Sequence, residues 1–250
     1  MILIIGFRTF EFMLKIIFTS SFVFFFTIIN AQLITDSEGN SNLSFNNNNV
    51  LYVGVDGINS FRELSPNTDF LSTPLGEREN EISRWMSGYS LRMAIPAFRF
   101  FKINTGLAIL QSGESYDWNS AVTDSSYAYQ RTFRHIGLPV QLAFEYGNKL
   151  SIYGAFGVTP AIFNAFRQQI QWKNALGSED SDELSIQDDC NSFIISLQAD
   201  LGIHYHFNDT FGLQLTALYR KQLSNTYKEF EDYIHKAYAF GFNFALSYQF

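Results

Sequence analysis

Six ionisable residues lie in stretches where alternate residues are apolar: Asp56, Arg92, Glu145, Asp200, His204 and Arg220. On an extended chain, side chains at every second position share a face. These six therefore share one side of a sheet, opposite the apolar side. Charges in that place could line an ion path or bind a ligand. They could also pair with one another and fill a narrow interior, since a buried charge is costly unless partnered. The filled interior is the expectation, because a barrel of eight strands leaves no aqueous channel.

Catalytic chemistry finds less support. Ser196, Asp200 and His204 fall on one face, but four-residue steps along a strand are about 13 Å each. Without help from another strand they cannot make a hydrogen-bonded triad. His204 and His206 point inward near a short turn, which is the wrong face for a site acting on lipid. We therefore expect no catalytic residue, no metal and no cofactor. His135 is read as a satisfied interior residue. The acidic run Glu179, Asp180, Asp182, Glu183, Asp188 and Asp189 offers oxygen ligands of the kind calcium takes. Its spacing does not fit an EF-hand loop, and it is read as a solvated surface loop. Cys190 beside it is the sole cysteine. It allows no internal disulfide and no cysteine-based metal cluster, and is read as a free thiol without a chemical role.

The elements that must hold these residues are strands. The C-terminal stretch "KAYAFGFNFALSYQF" places Tyr238, Phe240, Phe242, Phe244, Leu246, Tyr248 and Phe250 at alternate positions, with Ala, Gly, Asn, Ser and Gln between them. The same period of two runs through 136–146, 193–207 and 211–219, and more weakly through 51–58, 89–97, 103–110 and 150–163. That pattern predicts eight β-strands. Three connections are short, near 99–101, at "GNK" and at "FNDT". Four are long and polar, including "SGESYDWNSAVTDSSYAYQ" and "RQQIQWKNALGSEDSDELSIQDDC". An even strand count with alternating short and long connections predicts an all-β, eight-stranded antiparallel up-and-down transmembrane β-barrel. Pro96, Pro139 and Pro160 fall inside strands and remove ladder donors, so bulges are expected there.

Aromatic residues make up 17% of the chain, with 27 Phe and 13 Tyr. A water-soluble barrel of the lipocalin kind would turn that bulk inward, where eight strands lack the volume for it. Its outer face should then carry Lys and Glu, whereas here the opposite face carries Gly, Ala, Ser, Gln and Asn. The bulky face is therefore read as facing hydrocarbon, with Tyr146, Tyr205, Phe207, Tyr219, Tyr238 and Tyr248 as interfacial girdles. A formal charge of -7 argues against nucleic acid, which needs clustered Lys and Arg. "MLKIIFTSSFVFFFTIINAQ" reads as a secretory signal peptide: a lone Lys15, an apolar run to Ile29, then Ala31. The expected organisation is a signal peptide over 1–31 (Met13 being an alternative start), a short periplasmic segment over 32–48 and the barrel over 49–250.

The segments "YVGVDGINSFREL", "FRHIGLPVQLAFEYG" and "KLSIYGAFGVTPAIF" resemble the PorT-like outer-membrane β-barrel proteins of Bacteroidota. The likeness rests on "GVDGINS", on Leu138-Pro139-Val140 and on Tyr153, Gly154 and Gly157. It implies outer-membrane insertion, with loops extracellular and termini periplasmic. Tyr248 and terminal Phe250 match the C-terminal signal by which the barrel-assembly machinery recognises its clients in this broader class. Named members serve protein secretion and gliding, but the shared motifs are structural rather than catalytic and imply no common activity, so the resemblance transfers no functional residue. The expected role is non-enzymatic: envelope structure or surface recognition through long loops. The alternative is an accessory of secretion across the outer membrane, and a lipid-modifying enzyme is the third class. Expected partners are outer-membrane lipid and lipopolysaccharide, the assembly machinery and other envelope proteins, with no nucleic acid.

Overall fold

The computed structural model describes residues 48–65, 81–98, 101–174, 176, 178–184, 189–228 and 234–250. The expected signal peptide and residues 32–47 of the expected periplasmic segment lie outside the described residues. Ten strands follow in order: β1 (Val50–Ser65), β2 (Glu81–Phe98), β3 (Phe101–Asn119), β4 (Ser126–Gly137), β5 (Val140–Gly147), β6 (Leu150–Lys173), β7 (Glu179–Leu184), β8 (Phe193–His206), β9 (Phe211–Gln222) and β10 (Ile234–Gln249).

Their pairings close a ring, and every pairing is antiparallel. β1 pairs with both β2 and β10. From β2 the sheet runs to β3, and β3 pairs with both β4 and β5. β4 and β5 in turn both pair with β6, so they act as one strand interrupted at Leu138-Pro139. β6 passes to β8, β8 to β9, and β9 back to β10. The ring thus has eight positions, as the alternation predicts, and no open edge among them. β7 lies off the ring as a hairpin extension of β6.

Two of the three prolines coincide. Pro139 interrupts β4–β5, and the carbonyl of Pro160 on β6 accepts from Leu138 N at 2.9 Å. In an antiparallel strand the N and C=O of one residue face the same neighbour. The missing donor of Pro160 therefore faces the break made by Pro139, and one discontinuity accommodates both. Pro160 needs no bulge, contrary to expectation, and stays in register with Ile195 on β8. Pro96 does sit at a register shift, between β2 and β3. A further shift occurs between Arg134 and His135, where β6 contributes an extra residue, Asn164.

The strands reach well past the boundaries that periodicity suggested. Most of "SGESYDWNSAVTDSSYAYQ" is not a loop: β3 and β4 pair out to Asn119 and Ser126, leaving only 120–125 between them. "RQQIQWK" likewise belongs to β6, and Glu179, Asp180, Asp182 and Glu183 of the acidic run form part of β7. The reading of that run as a loop is corrected to this extent; Asp188 lies outside the described residues. These stretches escaped notice because their outward positions are polar: Gln130, Arg134, Arg167, Gln169 and Gln171. Their apolar residues, Tyr116, Tyr129, Phe133 and Phe166, are buried inward instead, so the outward hydrophobic period used to read the other strands is missing here.

Side-chain burial sorts the ring into two faces. Outward are Val53, Leu91, Leu107, Leu142, Phe156, Leu201, Leu215, Phe242, Phe244 and Leu246, all exposed. The residues beside them are buried and small or polar, such as Ala245, Asn243, Gln141, Gln214 and Thr216. Aromatic pairs gather at both rims of the apolar belt. Tyr205–Phe207 and Phe211–Tyr248 stand at the short-turn rim, with ring centroids 5.5 and 5.4 Å apart. Tyr219–Phe240 and Phe61–Tyr238 stand toward the long-loop end, at 4.8 and 5.2 Å.

Candidate functional site in the barrel interior

Polar side chains occupy the interior in three tiers. In the middle tier, Asp56 accepts from Arg220 Nη2 at 3.1 Å and from Asn243 Nδ2 at 2.6 Å. Arg92 Nη2 donates to the Asn243 amide oxygen at 2.8 Å. Asp200 Oδ2 accepts from Gln141 Nε2 at 2.6 Å and from Gln198 Nε2 at 3.1 Å. Asn104 donates to Gln141 and to the Tyr153 hydroxyl, both at 3.1 Å. Nearby, a cavity of about 20 Å³ bounded by Ile58, Leu110, His135, Ser196 and Arg220 has room for about one water.

Toward the short turns, Glu145 is the hub. Its Oε1 lies 2.6 Å from His204 Nδ1 and 3.0 Å from His206 Nε2. Its Oε2 accepts from Lys102 Nζ at 3.4 Å. His204 Nε2 lies 2.7 Å from Ser247 Oγ. Room for this contact comes from Gly212: a Cβ there would stand 2.7 Å from both His204 Nε2 and Ser247 Oγ. The tight turn below begins at Gly147, whose φ of +135° is a glycine conformation.

Toward the long loops, Glu114 collects the charges. Arg131 Nη1 donates to its Oε1 at 3.0 Å, Arg62 Nε lies 3.3 Å from its Oε2, and His235 Nε2 lies 2.9 Å from the same oxygen. Arg62 also pairs with Glu81. Tyr116 and Tyr129 stack beside this cluster at 5.5 Å, and Arg131 lies 4.7 Å over the Tyr129 ring.

All six predicted interior residues are buried. Asp56 and Arg220 bond directly, Arg92 joins them through Asn243, and Glu145 joins His204. Asp200 bonds instead to the two glutamines. His135 is buried with its ring 5.6 Å from that of Phe163. Tyr248 and Phe250 are exposed. Cys190 is buried as a free cysteine between β7 and β8. Burial, then the neighbouring Asp189, pushes its thiol up to about 11, so at neutral pH it is protonated and a poor nucleophile.

The tier around Glu114 was missed because Glu114 and Arg131 lie in stretches read as loop. Lys102 was missed because it follows a turn. The neutral partners Asn104, Gln141, Gln214 and Asn243 carry no sequence mark beyond their inward parity.

No family profile matches the chain, and no curated protein does. Solved structures overlap with it in part. OprG, an outer membrane protein from Pseudomonas aeruginosa, is 12% identical, with a TM-score of 0.44 over 83% of this chain and 98% of its own. The outer membrane protease OmpT from Escherichia coli is 9% identical, with a TM-score of 0.41 over 84% and 99%. Neisserial surface protein A is 10% identical, with a TM-score of 0.35 over 80% and 97%. The ring of strand pairings, not this overlap, defines the architecture.

Proposed function

We propose that the chain is a non-enzymatic outer-membrane β-barrel protein with a plugged interior, serving envelope structure or surface recognition. The observation that carries this reading is the division of the sheet: an apolar belt outside, three tiers of paired charges inside. An outward row of Phe and Leu is unfavourable in water and favourable against hydrocarbon, at about 25 cal/mol per Å² of apolar area. Closure meets the membrane's demand that every backbone donor find a partner. In this reading the long-loop end faces the exterior, where the polar strand extensions project beyond the belt. The termini face the periplasm. The partners are outer-membrane lipid and lipopolysaccharide, other envelope proteins, and the assembly machinery through Tyr248 and Phe250. The resemblance to PorT-like proteins favours a second reading, an accessory role in secretion, which would use the same surfaces.

Single-channel recording in planar bilayers tests the plug. The protein should insert without discrete conductance steps. Ohmic steps of uniform size, absent from mock preparations, would contradict it.

A further inference from the structure

The short-turn tier has a geometry that pairing alone does not require. His204 and His206 are two apart on β8, so both imidazoles point inward, one above the other, with ring centroids 4.0 Å apart. Glu145 reaches them from β5. One donor atom from each of the three residues lies within 4.8 Å of the others. Two imidazole nitrogens converge on the same carboxylate oxygen, Oε1, at 2.6 and 3.0 Å.

We propose that Glu145, His204 and His206 form a binding site for a divalent transition-metal cation of the zinc class. Two imidazoles and one carboxylate are a donor set that suits this class. With metal–ligand bonds of about 2.0–2.2 Å, neighbouring donors in a tetrahedral site stand about 3.3 Å apart. To reach that spacing Glu145 Oε1 has to move about 0.7 Å from His204 Nδ1 and about 0.3 Å from His206 Nε2. Ser151 Oγ lies 3.3 Å from His206 Nε2, at the edge of the cluster. Ser247 supplies the outer partner such ligands usually have: with Nδ1 on the metal, His204 Nε2–H would donate to Ser247 Oγ, 2.7 Å away. Lys102 engages the other carboxylate oxygen, Oε2, and its charge weakens the site without occupying it. Access is from the short-turn end, where the His206 side chain is 14% exposed while that of His204 is fully buried. The site does not depend on the membrane reading.

The test uses the refolded chain in detergent micelles, stripped with chelator and titrated with Zn²⁺ alone against a fluorescent zinc indicator. One ion should bind per chain. His206→Gln, at the partly exposed position, should abolish that binding while the strand circular dichroism stays unchanged. Ser247→Ala should weaken it about 10–100-fold. His135→Gln, which removes a buried histidine outside the cluster, should leave it intact. Co²⁺ in place of Zn²⁺ should give visible absorption bands in the wild type and none in His206→Gln. Absence of one-site binding in the folded wild type, or binding that survives in both His206→Gln and His204→Gln, would overturn the proposal.

Discussion

Asp56 is held by two donors, Arg220 and Asn243, and Asn243 is itself held by Arg92. A carboxylate with no exposed surface to speak of persists only because this chain of partners replaces its hydration. Removing it leaves a buried guanidinium without its counter-charge, which costs more than the pair contributes. Breaking a buried pair from one side costs about 3–5 kcal/mol. Asp56→Ala should therefore lower unfolding stability by about that amount in urea titration from micelles. Asp56→Asn, which keeps an acceptor for Asn243, should lose less. Equal losses for the two variants would mean that charge, not hydrogen bonding, sets the cost.

At the scale of the element, the proposed membrane placement gives each strand two media along its length. β6 carries Phe156, Val158 and Ile162 outward within the belt, then Arg167, Gln169 and Gln171 beyond it. A lipid-facing cation costs about 2–4 kcal/mol at the bilayer midplane and about 0–1 near the interface. Phe244→Arg, central in the β10 belt, should thus reduce folding into vesicles by about 2–4 kcal/mol, and Gln169→Arg by about 0–1. Equal effects would place both residues in the same medium. The same division explains what could be read in advance. Where Phe and Leu alternate with Ala, Ser and Gln, as in β10, the strand and its facing were legible. Where the outward face is polar and the aromatics turn inward, as around Gln130 and Gln169, the strand was not, and Glu114 with its partners went unseen. Pairs across the interior, such as Arg92 with Asn243, join distant parts of the chain and leave no local pattern.

For the whole molecule, closure and facing act together. Among the described residues the ring of eight positions has no open strand edge of its own, and it leaves too little interior volume for the aromatic load, so most of the bulk faces out. The interior then has to be filled by polar groups that satisfy one another. The most direct measurement is of what touches the outer face. Spin labels at Phe244→Cys and Gln169→Cys, in a Cys190→Ser background, can be compared by power saturation in lipid vesicles. Label 244 should be accessible to oxygen and shielded from a water-soluble nickel chelate, and label 169 the reverse. A label at 244 as open to the nickel chelate as that at 169 would contradict the membrane-facing belt.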